Sequence, residues 1–154
     1  MKNLKYILIT IIVFFTDMFF KNRIEQGMQG KKPFGRFITL SKHHNRGLPM
    51  NIAESHQKKI AIASFITTGM LELYFYYVLI KKDNPLLKTG LSLQVGGAYS
   101  NTYDRLMRKY VVDYFSFNYP KAIRNIVFNL GDIAIFAGWF MVILSSIFTR
   151  DRNK

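Results

Sequence analysis

The apolar residues of this chain are gathered into four long blocks, at 4–20, 60–80, 86–107 and 126–148, and most of its cations lie between them. A helix needs about 20 mainly apolar residues to cross roughly 30 Å of hydrocarbon. The last three blocks reach that length, and the first, of 17 residues, reaches it if Lys2, Lys5 and Lys21 snorkel. A cleaved signal peptide is the rival reading of the first block. It lacks the small-residue cleavage site, because Phe19, Phe20, Lys21 and Asn22 follow instead. The pattern predicts an all-α membrane protein, a four-transmembrane-helix bundle forming one integral membrane domain over residues 1–154. The connector at 21–59 is polar and broken by glycines, and 34–40 alternates weakly. A small β-containing subdomain on the outer surface, between helices 1 and 2, is expected there.

Composition narrows the chemistry. Lysine and arginine number 22 against nine acids, for a net charge of +13. In a soluble protein that would point to nucleic acid; cations gathered mostly in the connectors of apolar blocks point to anionic lipid headgroups instead. Cysteine is absent, which excludes a disulfide scaffold, a zinc ribbon and a thiol nucleophile. His43, His44 and His56 form no H-E-x-x-H pattern, and no G-x-S-x-G elbow is present. The residues call for neither a metal nor an organic cofactor.

Four of the nine acids fall inside predicted spans: Asp17, Glu72, Asp104 and Asp132; Asp113 lies just past the third. An ionisable group at bilayer depth costs about 2.5–3.5 kcal/mol, which makes each a functional candidate. Asn101 and Asp104 near the end of span 3 repeat the i, i+3 spacing of Asn129 and Asp132 near the start of span 4. Antiparallel packing brings those two ends together, so Asn101, Asp104, Asp113, Asn129 and Asp132 can converge at one membrane face. Two carboxylates there share a proton, and such a pair can activate water against a peptide carbonyl. Spacing alone leaves Asp104 and Asp113 both open as the partner of Asp132. Simpler readings stand beside this one. Asp104 and Arg105 fit a helix-end ion pair, and Asp17 with Lys21 fits a local i, i+4 salt bridge. Glu72 is expected to face the bundle interior and to bond a hydroxyl such as Thr67 or Thr68.

At these residues the chain resembles the bacterial lipoprotein signal peptidase, or type II signal peptidase, family. Asp17 and Lys21 resemble its D-x-x-x-K, and Asn45 with Gly47 its N-x-G. Gly96, Gly97, Ala98, Asn101, Asp104 and Arg105 stand as G-G-A-x-x-N-x-x-D-R. Tyr110, Val111, Val112 and Asp113 resemble the Y-V-V-D-F block, and Phe128, Asn129 and Asp132 the F-N-x-A-D block. The resemblance implies an aspartyl endopeptidase that cleaves prolipoproteins before a lipid-modified cysteine. Asp113 and Asp132 would be the dyad, Asn45, Asn101, Arg105 and Asn129 binding or supporting residues, and Asp104 a structural acid. The implied substrate is the diacylglyceryl-cysteine precursor, and the implied protein a monomer in the bacterial cell membrane. Departures are the residues at 48–51, Ser100 where glycine is usual, and Gly131 where alanine is usual.

Other classes remain. Tyr103-Asp104 and Gly131-Asp132 faintly resemble presenilin-like motifs, in a chain too short for that family. A small four-span transporter would use Glu72 as its coupling acid, and a silent relative would only bind lipopeptides. The family resemblance implies cytoplasmic termini and an outer active site. The inner side then holds Lys2, Lys5, Lys81, Lys82, Lys88, Arg150, Arg152 and Lys154, eight of the 22 cations, and the other 14 face outward. Counting positive charge alone favours the reverse.

Overall fold

The computed structural model describes residues 2–27, 31–47, 52–81 and 83–151. Four long helices dominate: α1 (Leu4–Gly27), α2 (Gln57–Lys81), α3 (Pro85–Met107) and α4 (Leu130–Asp151). Strands β1 (Lys31–Phe34), β2 (Ile38–Asn45) and β3 (Val111–Phe117) make one antiparallel sheet in the order β1-β2-β3. Single turns of 3-10 helix lie at Glu54–His56 and Lys121–Ile123.

Helix α3 is the hub, with α1, α2 and α4 all packed on it. Its start is set by sequence: Asn84 caps it by accepting from Leu87 N at 3.0 Å, and Pro85 takes the first helical position, where no N–H is needed. Glycines let α4 approach closely. A Cβ on Gly97 would collide with the Gly131 carbonyl oxygen, and one on Gly138 with the Gly90 carbonyl oxygen. Backbone contact through small residues is how helices associate where burial of apolar surface drives little.

The interior is divided along its length. Tyr6, Phe75, Val78, Leu79, Leu91 and Val95 form an apolar core at the end that holds the α2–α3 turn. At the other end many of the buried side chains are polar, among them Asp17, Lys21, Ser100, Asn101, Asp104 and Asn129, beside the apolar Val111 and Val112 of β3. The outer faces reverse this, with Ile12, Phe15, Leu73 and Phe140 more than 60% exposed. Polar groups inside and large apolar ones outside invert the arrangement of a soluble protein. Among the described residues, Glu54–Lys81 and Leu130–Phe148 are long and apolar enough to cross a membrane. The α3 sequence is diluted by its buried polar face, which includes Lys88, Ser92, Gln94 and Ser100.

Several sequence expectations change. The first apolar block stops at 20, but α1 runs on to Gly27, because Lys21 is buried rather than at a surface boundary. Residues 34–40 are not one strand: β1 ends and β2 begins within them, around Gly35 at φ 68°, where a side chain would be disfavoured. The sheet is not confined to the segment between α1 and α2, since β3 arrives from beyond α3 and pairs with β2. The fourth block begins at 126, whereas α4 starts at Leu130. Residues 48–51, Lys82, Arg152 and Lys154 lie outside the described residues.

Candidate active site

Asn129 and Asp132 start α4 with a reciprocal cap. The Asp132 N–H donates to Asn129 Oδ1 at 2.8 Å, and the Asn129 N–H donates to Asp132 Oδ2 at 3.1 Å. Two of the backbone donors at the helix start are thereby satisfied. The i, i+3 spacing is therefore that of a cap and the third helical residue, not two positions on one face. Asp132 sits in the first turn of α4.

Asp113 comes from β3. The N–H groups of Tyr114 and Phe115 both donate to the Phe128 carbonyl, at 2.9 and 3.0 Å, and Phe128 N–H returns to the Phe115 carbonyl at 2.7 Å. This bridge ties the strand to the segment entering α4 and delivers Asp113 to Asn129. Asn129 Nδ2 donates to Asp113 Oδ1 at 2.7 Å, and Asn45 Nδ2 donates to Asp113 Oδ2 at 3.2 Å. On the far side, Asn101 Nδ2 donates to Asp132 Oδ1 at 2.8 Å. Each carboxylate oxygen thus accepts one donor and keeps a lone pair. Asp113 is 3% exposed, and its pKa rises to about 7, first through burial and then through the neighbouring Asp132 charge. The donors Asn129 and Asn45 oppose that rise.

Behind Asn101 lies a buried ionic network. Lys21 Nζ meets Asp17 Oδ2 at 2.8 Å, Asp104 Oδ2 at 3.2 Å, Ser100 Oγ at 2.9 Å and Asn101 Oδ1 at 2.9 Å. Lys21, Asp17 and Asp104 are fully buried. Asp104 also takes Arg108 Nε at 3.0 Å and the Val112 N–H at 3.0 Å. Two acids therefore face two cations, which is the condition for keeping charges out of water. The Asp17–Lys21 pair exists as expected, and it reaches across to α3.

Asp104 does not pair with its neighbour Arg105, because successive helical residues point apart. Arg105 turns the other way, donating to the Asn101 carbonyl at 3.3 Å and the Gly47 carbonyl at 3.5 Å. Glu72 is also not as expected. It is exposed on α2 and bonds the Tyr99 hydroxyl, while Thr67 bonds its own helix and Thr68 bonds Thr102.

Two contributors were not expected. Ser100, which stands where the resembled family has glycine, donates to Asp17 Oδ2 at 2.6 Å. Tyr114 is buried and donates to Asp17 Oδ1 at 3.1 Å while accepting from Leu130 N at 3.0 Å. Burial and the Asp17 charge push the Tyr114 phenol pKa up. In sequence Ser100 adjoins Asn101 and Tyr114 adjoins Asp113, and neither neighbour points to the bond each makes with Asp17.

The arrangement brings together Asp113, Asp132, Asn45, Asn101 and Asn129 directly, with Asp17, Lys21 and Asp104 behind them. A cavity of about 280 Å³ opens beside it, lined in part by Asn101, Arg105 and Asp132.

A lipoprotein signal peptidase of Clostridium tetani is 33% identical over 109 residues, covering 70% of this chain and 68% of that one. One from Staphylococcus carnosus is 27% identical over 154 residues, covering 95% and 92%. The fold matches a bacterial membrane enzyme solved by the in meso method at 2.3 Å, with a TM-score of 0.83 and 23% identity, over 97% of this chain and 92% of that one. The sequence profile of signal peptidase (SPase) II matches residues 9–148, and the chain belongs to that family.

Proposed function

We propose that the chain is an aspartyl endopeptidase that cuts the prolipoprotein signal peptide just before the lipid-modified cysteine. Membership in the family implies removal of signal peptides from prolipoproteins. The observation that carries the aspartyl mechanism is the joining of two carboxyl side chains, from β3 and α4, through one asparagine, whose Nδ2 donates to Asp113 and whose backbone N–H donates to Asp132. Asp113 holds a proton near neutral pH. Asp132 takes a proton from water as the water oxygen attacks the scissile carbonyl carbon, and Asp113 donates to the carbonyl oxygen. On collapse the C–N bond breaks, the leaving nitrogen receives the proton carried by Asp132, and Asp113 takes back the proton from one hydroxyl of the tetrahedral carbon as the C=O re-forms. Arg105, on the wall of the adjoining cavity, binds the peptide backbone of the substrate.

All four helices span the membrane in this reading, with the termini cytoplasmic and the sheet on the outer face. The apolar exterior of α1 supports a span there, and polar residues on α3 are accommodated because they face inward. An outer site meets an exported substrate, and the basic outer connectors engage anionic headgroups. The protein acts as a monomer.

The test is to incubate the purified chain with a diacylglyceryl-cysteine precursor and with the unmodified precursor, and to sequence the products by mass spectrometry. Cleavage before the cysteine in the modified precursor alone is expected. Binding without cleavage would mark a silent relative.

A further inference from the structure

Helices α2 and α4 both pack on α3 but scarcely on each other, which leaves a groove with α3 as its floor. Two cavities adjoin along it. The one of about 280 Å³ reaches Asp132. The other, of about 290 Å³, shares Thr67, Thr68, Ala98 and Ile135 with it, and adds Gln94 and Trp139 further along α3. The groove therefore continues from a candidate catalytic carboxylate into the depth of the bundle.

Its floor carries a polar group without a partner. Gln94 is 3% exposed, and its amide nitrogen meets no acceptor among the described residues. Gly138 makes the room for it, since a Cβ there would lie 2.6 Å from Gln94 Cγ. The hydroxyls nearby are engaged, Thr67 with the Ala63 carbonyl at 2.8 Å and Thr68 with Thr102 at 2.8 Å. A buried amide donor left unpaired is unfavourable, and a ligand that brings an acceptor relieves it.

We propose that this groove seats the apolar helix of the signal peptide and that Gln94 selects a Ser or Thr hydroxyl about seven residues before the scissile bond. The inference rests on the protease reading above. Gln94 precedes Asn101 by about seven residues, roughly 10 Å along the axis at 1.5 Å per residue. Asn101 holds Asp132, so a helix lying in the groove presents, at the depth of Gln94, the residue about seven from the cut. The backbone carbonyls of that helix are taken by its own hydrogen bonds, so a side-chain acceptor is needed.

The experiment uses the full chain in lipid nanodiscs and diacylglyceryl-cysteine precursors whose Leu/Ala apolar segment carries one Ser, moved through positions four to ten before the cut. Wild type should cleave the precursor with Ser near position seven with about three- to tenfold higher kcat/KM than the Ser-free one, through KM. Gln94→Leu should erase the difference. Trp139 is the single tryptophan and lines the groove, so its fluorescence reports occupancy. Tryptophan-free signal helices should bind wild type about three- to tenfold more tightly with Ser than with Ala near position seven. A flat profile across the scan, a preference that survives Gln94→Leu, or equal affinities by fluorescence overturns the proposal. The fluorescence comparison decides alone if Gln94→Leu does not fold. Failure to cleave any precursor overturns the protease reading instead, and the two binding affinities still judge the groove.

Discussion

Asn129 is the residue on which the proposed chemistry most depends, because its one amide touches both acids. Its Nδ2 holds Asp113 and its Oδ1 receives the Asp132 N–H. Asn129→Ala should lower kcat by about a hundredfold, the scale expected when a catalytic group is misplaced by about 1 Å. Asn101→Ala removes a single donor to Asp132 and should cost less. Both should leave the protein inserted; unchanged turnover in both would make these asparagines packing residues only. The pH profile follows from Asp113. Its folded pKa of about 7 lies above the usual 3.8, so it holds its proton below about 7 and loses it above. With both acids charged the dyad cannot donate to the carbonyl, so kcat/KM should fall as pH rises through about 7. A rate that stays level to pH 9 would contradict that assignment. The same upward shift means that this group's contribution to stability declines as pH rises from about 4 to 7. The acids themselves were legible from spacing, since few residues other than functional ones place carboxylates at bilayer depth. The choice between Asp104 and Asp113 was not, because it depends on where β3 turns, and no local pattern encodes that.

At the scale of elements, Lys21 fastens α1 to α3 through two acids and two neutral oxygens. Removing one partner of a buried ion pair typically costs about 3–5 kcal/mol, since the other charge is left uncompensated. Lys21→Met strands Asp17 and leaves Asp104 with Arg108 alone, so it should lower the thermal midpoint in detergent markedly, whereas a purely catalytic lesion should not. A Lys21→Met protein of unchanged midpoint would show that the network is not structural. The helices were readable because long apolar runs identify themselves; their ends were not. The first helix outlasts its apolar run, because a lysine inside a polar network looks the same in sequence as one at the surface. The third strand, Val111–Phe117, is rich in Val, Tyr and Phe but has no neighbouring strand in sequence to announce it. Its pairing with β2 is a contact between residues about 70 apart, as in His43 opposite Asp113. Such pairings leave no periodic trace of their own.

At the scale of the whole molecule, the separation of an apolar core from a polar end fixes where a substrate can be met. Both termini and the α2–α3 turn should lie in the cytoplasm. Reporter fusions at Asn84 and at Asn153, which is outside the described residues, should read cytoplasmic, and one at His44 external. An external signal at Asn84 would reverse the orientation. The central claim is that Asp113 and Asp132 act as a unit, and the most direct measurement is cleavage of a diacylglyceryl-cysteine precursor by four variants: Asp113→Asn, Asp132→Asn, the double variant and Asp104→Asn. Each single dyad variant should abolish cleavage while remaining folded in the membrane. The double variant should be scarcely worse than either, because residues that work together lose their effect together. Asp104→Asn should act through stability, given its bonds to Lys21, Arg108 and Val112. Near-normal cleavage by folded Asp113→Asn, with a folded but inactive Asp104→Asn, would contradict the account.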